Sequence, residues 1–182
     1  SDVLSSCRGW YNFIYFGHDK HLVSVLDGGL KKWLIENRKT TNEKTILNKS
    51  TYRATENKSL VKNIIEVNEN IEKKKFTIID ARSKERFNGS VPDPRKNVRS
   101  GSIPNSVCLP FKEIINSSDN TFKGVSEISK KFSEIIDLND DKRVFSCGSG
   151  ITACVLGLAY SLVNNTYSPT VYDGSWAEYG RI

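Results

Sequence analysis

The sequence has 182 residues, no methionine and only two histidines, His18 and His21. Without a Met to begin it, the chain reads as a piece of a longer product. Its four cysteines form no CxxC pair and lie far in sequence from the histidines, so zinc-type ligand spacing is absent and no metal is expected. No apolar run approaches the roughly 18 residues that a membrane helix needs, so no membrane partner is expected. The first residues are polar, with no basic region leading into an apolar stretch, so no secretory signal is read there. Four cysteines are few for a disulfide framework in a chain of this length. They fit a reducing compartment: the cytoplasm, or the mitochondrial matrix if the source is eukaryotic. The net charge is +6, but no basic stripe interleaves with aromatics, which argues against nucleic acid. A mildly basic surface suits small anionic substrates. The 37% hydrophobic and 26% charged content is that of an ordinary globular chain, long enough for one full domain with something left over.

What is present is an alternation of strand and helix signals. "RGWYNFIYFGH" carries a helical apolar stripe that stops at Gly17, "LVSVLDGG" reads as a short buried strand, and "LKKWLIEN" as a short helix. Residues 37–58 are rich in Asn, Thr and Lys without periodicity and read as a linker, with "TYRAT" a short extended piece. "LVKNIIEVNENIEKKK" is read as one amphipathic helix and "FTIID" as a strand buried on both faces. After turn-rich "SVPDPRKNVRSGSIPN" come strand-like "SVCLPF", helical "VSEISKKFSEIID", strand "KRVFSC", helix "GITACVLGLAYSLV" and strand "PTVYDGS". This order predicts an α/β fold with a mostly parallel sheet, whose chemistry lies at the carboxyl ends of strands. "VSVLDGGLKKWL" and "TVYDGSWAEYG" also echo each other, each following an apolar helical run. The echo predicts two copies of one domain, the first present only as its last part. Residues 1–36 are assigned to that remnant, 37–58 to the linker and 59–182 to the catalytic domain.

Cys147 stands at a strand end, followed by Gly148, Ser149 and Gly150 and then a helix. Glycines let the loop curl so that its N–H groups point inward, and the helix adds its positive end at the same spot. A thiolate or persulfide is stabilised in such a cradle. Ser149 could add a hydroxyl donor, and Thr152 could cap the helix. Cys154 lies in apolar helical company and Cys108 in a strand, so both are read as core residues; nothing is assigned to Cys7. A cysteine phosphatase would need an arginine where this chain has Ala153, so a phosphate dianion would lack its bidentate grip.

"CGSGITAC" resembles the active-site loop of 3-mercaptopyruvate sulfurtransferases, within the two-domain rhodanese family. "IIDARSKERFNG", "DPR", "SGSIP" and "VYDGSWAEYG" resemble that family's C-terminal domain, and "SSCRGWYNFIYFGHDKHLVSVLDGGLKKW" the end of its N-terminal one. The resemblance implies a rhodanese-like domain with a central sheet flanked by helices. It also implies that Cys147 takes a sulfane sulfur from mercaptopyruvate as a persulfide and passes it to an acceptor. The acceptor would be cyanide or a thiol, such as a small thiol or thioredoxin, and no cofactor is involved. Arg86 and Arg95 would bind the donor's carboxylate and carbonyl. One charge-assisted hydrogen bond contributes about 1.5–3 kcal/mol, so losing either arginine should weaken binding about tenfold or more. Ser149 would assist proton transfer, and Gly148, Gly150, Ile151 and Thr152 would form the backbone cradle. Asp80 and Arg82 are read as structural, and Arg99 as a solvated charge.

Thiosulfate sulfurtransferases carry basic residues after the cysteine, where Gly148 and Ser149 stand here; thiosulfate is a dianion, so the neutral loop favours mercaptopyruvate. The turn that in the family contains His and Gly has Ser102 and Asn105 here, which should alter its rigidity rather than the chemistry. The family's first domain also lends His and Asp side chains to the site, and these lie outside this sequence. The alternatives are a thiosulfate sulfurtransferase and a low-turnover sulfur-binding module of the same fold.

Overall fold

The computed structural model describes residues 3–140 and 142–182. Five parallel strands form one sheet in the order β1-β5-β4-β2-β3. They are β1 (Val61–Lys62), β2 (Thr77–Asp80), β3 (Val107–Cys108), β4 (Arg143–Ser146) and β5 (Val171–Tyr172). The helices are α1 (Val3–Tyr15), α2 (Gly29–Ile35), α3 (Ile64–Lys73), α4 (Lys84–Phe87), α5 (Val125–Ser133), α6 (Ile151–Val163) and α7 (Ser175–Tyr179).

All four residues of β4, the central strand, are buried, as its apolar run requires. Alternate side chains serve two cores. Ile78 and Val144 pack with Val67, Tyr172 and Trp176 on one face. Ile79 and Phe145 pack with Ile128, Phe132, Leu156 and Tyr160 on the other. Asp80 is in register with Ser146, so β2 and β4 end side by side and their following loops emerge together.

The first helix belongs to the second core. Val3, Cys7, Trp10 and Tyr11 recur at helical spacing, form its buried face and lie against α6. Gly17 ends the helix with φ +80. Its N–H bonds Ile14 O and the His18 N–H bonds Phe13 O, a Schellman closure capped by the tilted Phe13–His18 ring contact at 5.4 Å.

The predicted strand at "LVSVLDGG" does not form. Its segment has no neighbouring strand to share hydrogen bonds with, and Val23 and Val25 pack on the core as extended chain. The segment read as one helix at "LVKNIIEVNENIEKKK" divides: β1 joins the sheet edge, and α3 starts after it. Asn63 and Glu66 close a reciprocal capping box there, each side chain accepting the other's backbone N–H at 3.0 Å. Residues 38–57 form no helix or strand and are exposed. They are tied to α1 where the Thr55 and Asn57 N–H groups donate to Phe16 O and Tyr15 O.

Candidate active site

Cys147 follows the last residue of β4 and is 2% exposed. Gly150 adopts φ +79 and caps α6, which begins at Ile151. The loop between them is held from α7. The N–H groups of Cys147 and Gly150 both donate to Ser175 Oγ at 3.1 Å, and that hydroxyl donates to Tyr172 O at 2.8 Å. The N–H groups of Trp176 and Ala177 donate to the carbonyls of Cys147 and Gly148 at 3.0 Å each. Among the described residues nothing accepts from the N–H groups of Gly148 and Ser149. Those of Ile151 and Thr152 belong to the first turn of α6, whose donors have no intrahelical partners. Gly148, Ser149, Ile151 and Thr152 therefore offer backbone donors, whereas the Gly150 N–H is committed to Ser175. The Ser149 side chain is exposed and Thr152 half-buried. Neither hydroxyl makes a hydrogen bond among the described residues, and the α6 N-cap is Gly150 without a side-chain cap.

Arg86 and Arg95 meet at this loop. A Cβ on Gly148 would lie 3.1 Å from Arg95 Nη2 and 3.3 Å from Arg86 Nη2, so any side chain there would press on both guanidinium groups. Arg86 comes from α4, whose first turn is capped by Ser83, and Arg95 from the turn that follows. Asp93 aligns them. Its Oδ2 accepts from Arg86 Nη2 at 2.7 Å, and its Oδ1 accepts from the Arg95 N–H and Nη1, each at 3.1 Å. Burial pushes the Asp93 carboxyl up, but hydrogen bonds from Arg86 and the Arg95 N–H, with the Arg86 charge, outweigh this and hold it below the usual range. Arg86 Nε is buried and meets no acceptor.

A second ion pair touches the loop from the other side. Arg8 of α1 pairs with Asp173, and its Nη1 donates to Gly150 O at 3.3 Å. Beneath the loop, the Cys154 thiol donates to Gly150 O at 3.2 Å, and burial pushes that thiol up to about 12. Cys108, also pushed up to about 12 by burial, donates to Arg82 O at 3.5 Å. None of the four cysteines forms a disulfide.

Asp80 and Arg82 form a buried pair, with Arg82 Nη2 bonding Asp80 Oδ2 at 2.7 Å and Gly101 O at 2.8 Å. Arg99, read as a solvated charge, stacks instead over Trp176 and Tyr179 at 5.5 and 5.3 Å; its planar guanidinium suits ring faces even at an exposed position. In the divergent turn, Asn105 takes φ +62 and bonds Ile71 O, a conformation Asn tolerates.

Four residues of this arrangement were not assigned to the site from the sequence: Asp93, Ser175, Arg8 and Asp173, the last read only as part of the internal echo. Asp93 had a signal, a carboxylate in the short turn between two arginines. Ser175 had a subtler one. In the internal echo it stands opposite Gly29, and both have positive φ, +52 and +57. A serine in this conformation costs about 1–2 kcal/mol relative to glycine, and here its hydroxyl holds the loop. Arg8 had none, because its partner is at the far end of the chain.

The model of the rhodanese-like domain family matches residues 64–181. The chain is 37% identical over 178 residues to human 3-mercaptopyruvate sulfurtransferase, covering 97% of this chain and 58% of that one. It is 36% identical over 199 residues to Arabidopsis thaliana thiosulfate/3-mercaptopyruvate sulfurtransferase 1, mitochondrial, covering 97% of this chain and 51% of that one. The crystal structure of the Tum1 protein from Saccharomyces cerevisiae superimposes with a TM-score of 0.82 at 25% identity, over 98% of this chain and 63% of that one. The chain thus spans a little over half the length of these curated relatives.

Proposed function

This chain belongs to the rhodanese-like domain family, and from that premise we propose that it carries the catalytic half of a sulfurtransferase acting on 3-mercaptopyruvate through Cys147. The observation that carries this reading is the pair of guanidinium groups set against Gly148, immediately beside the cysteine. An α-keto carboxylate held by Arg86 and Arg95 would bring its thiol sulfur to Sγ. The Cys147 thiolate attacks that sulfur, the C–S bond breaks, and its electron pair leaves with carbon as the enolate of pyruvate. The enolate takes a proton, and Ser149, exposed between Gly148 and Gly150, is the loop's own hydroxyl to deliver one. The outer sulfur, anionic as a persulfide, accepts from the unused N–H groups of Gly148, Ser149, Ile151 and Thr152. An acceptor thiolate then attacks the outer sulfur and forms its own persulfide, releasing the Cys147 thiolate; cyanide would leave as thiocyanate.

Thiosulfate is the second donor to consider, because the Arabidopsis relative's name includes both. The loop itself carries no cation at Gly148 or Ser149, which disfavours a dianion held close to sulfur. The two domains assigned to residues 1–36 and 59–182 are likewise our reading. In its favour, Asp27 and Asp173 both precede a left-handed residue and a helix.

The test is the intact mass of the full-length protein before and after mercaptopyruvate, without acceptor, beside Cys147→Ser. A gain of one sulfur, about 32 Da, in the native protein alone is expected. Sulfur uptake by the Ser variant would sink the assignment of Cys147, and uptake from thiosulfate only would reverse the donor preference.

A further inference from the structure

Arg8 takes no part in the sulfur-transfer steps themselves. It lies on α1, remote in sequence from the loop it touches. A Cβ on Gly150 would lie 2.6 Å from Asp173 Oδ1 and 2.8 Å from Arg8 Nη1, so this ion pair rests directly on the loop. Arg8 Nη1 also holds the Gly150 carbonyl, and the Gly150 N–H shares the Ser175 hydroxyl with the Cys147 N–H. A shift at Gly150 is thereby a shift at the nucleophile's own backbone.

We propose that Arg8 is a positioning residue for the Cys147 loop: held against the Gly150 carbonyl, it acts by cancelling the charge of Asp173 beside the loop. This rests on the sulfurtransferase reading, in which Cys147 must carry a negative charge as thiolate and as persulfide. The charged and titratable groups around the loop come from every element packed on it. From α4 and its following turn come Arg86 and Arg95 with Asp93, a net positive set. From α1 come Arg8 and Cys7, from α6 Cys154, and from the turn before α7 Asp173. Arg8 and Asp173 together contribute nothing net. Without Arg8, a carboxylate would stand uncompensated against the loop, repelling the anion on sulfur. Burial disfavours the Arg8 cation, but the Asp173 hydrogen bond and charge outweigh that cost. The pair therefore persists as an ion pair.

The experiment compares Arg8→Gln, Arg8→Gln/Asp173→Asn and Arg8→Lys with the native full-length protein. Three quantities are read: the rate at which iodoacetamide alkylates Cys147 at pH 7 and low ionic strength, followed by peptide mass; kcat and KM with mercaptopyruvate; and Tm. Arg8→Gln should slow alkylation and lower kcat about five- to tenfold, with KM within about twofold because Arg86 and Arg95 are untouched. Removing Asp173's charge as well should restore most of the alkylation rate, and Arg8→Lys should keep it. Native rates in Arg8→Gln overturn the proposal. So does a double variant no faster than the single one, which would mean that the lost hydrogen bond, not the exposed carboxylate, is what matters. If Arg8→Gln fails to fold, Arg8→Lys decides: slowed alkylation at unchanged Tm overturns the charge argument. Alkylation needs no sulfur donor, so absence of sulfur uptake by the native protein would sink the functional reading while this comparison still gives its own answer.

Discussion

At the scale of single residues, Asp93 governs what the two arginines beside the Cys147 loop can do. Its side chain is 2% exposed and bonded to both, so it fixes their forks toward Gly148 while leaving the remaining N–H groups for a ligand. Asp93→Asn weakens both contacts, and the KM for mercaptopyruvate should rise about tenfold with a smaller change in kcat. The same carboxyl should mark the acid limit of the fold. Its folded value lies below the ordinary 3.8, so its stabilisation is present above that pH and is lost as pH falls through the folded value. Urea midpoints measured from pH 5 down to pH 2 should fall more steeply for the native protein than for Asp93→Asn. Parallel profiles would show that the pairing contributes nothing.

At the scale of elements, the turn from β5 into α7 matters more than its length suggests. Ser175 sits in the left-handed region with its hydroxyl as the common acceptor of two loop N–H groups. Ser175→Ala keeps the strain and leaves two buried donors unpaired, at about 1–3 kcal/mol each. Ser175→Gly relieves the strain but loses the acceptor as well. Thermal melts should therefore rank native above Gly above Ala, and both variants should take up sulfur from mercaptopyruvate more slowly than the native protein. A Gly variant with native uptake would show that the hydroxyl is dispensable. Gly29, opposite Ser175 in the sequence echo, shares its positive φ but has no hydroxyl to offer.

At the scale of the whole molecule, α1 is not an appendage to the sheet domain. Trp10 and Tyr11 are 8% and 2% exposed in the same core as Phe145 and Leu156, and the Tyr11 hydroxyl donates to Leu60 O at 2.7 Å. Trp10→Ala should destabilise by about 3–5 kcal/mol, measured as a lower urea midpoint with a single transition. Two separate transitions in the native protein would contradict a shared core. Polar residues 38–57 follow α2 and return beside the end of α1 through the bonds at Thr55 and Asn57. No helix among the described residues is long and apolar enough to cross a membrane.

The sequence by itself determined the elements whose cause is local. The apolar runs "TIID" and "RVFS" lie at the sheet's centre, the period of "VSEISKKFS" gives α5, and the glycines around Cys147 mark where the central strand must turn into a helix. It did not reveal β1, because two residues at a sheet edge have no periodicity of their own and only the partner β5 makes them a strand. For the same reason "LVSVLDGG" carries a strand pattern yet forms none. Cys147, Arg86 and Arg95 were legible as residues, but their approach at Gly148 depends on β2 and β4 ending in register. The ties of Arg8 to Asp173 and of Ser175 to the loop were decided only by tertiary structure. They join residues far apart along the chain, and neither local propensity nor charge pattern encodes which distant groups a parallel sheet brings to one edge.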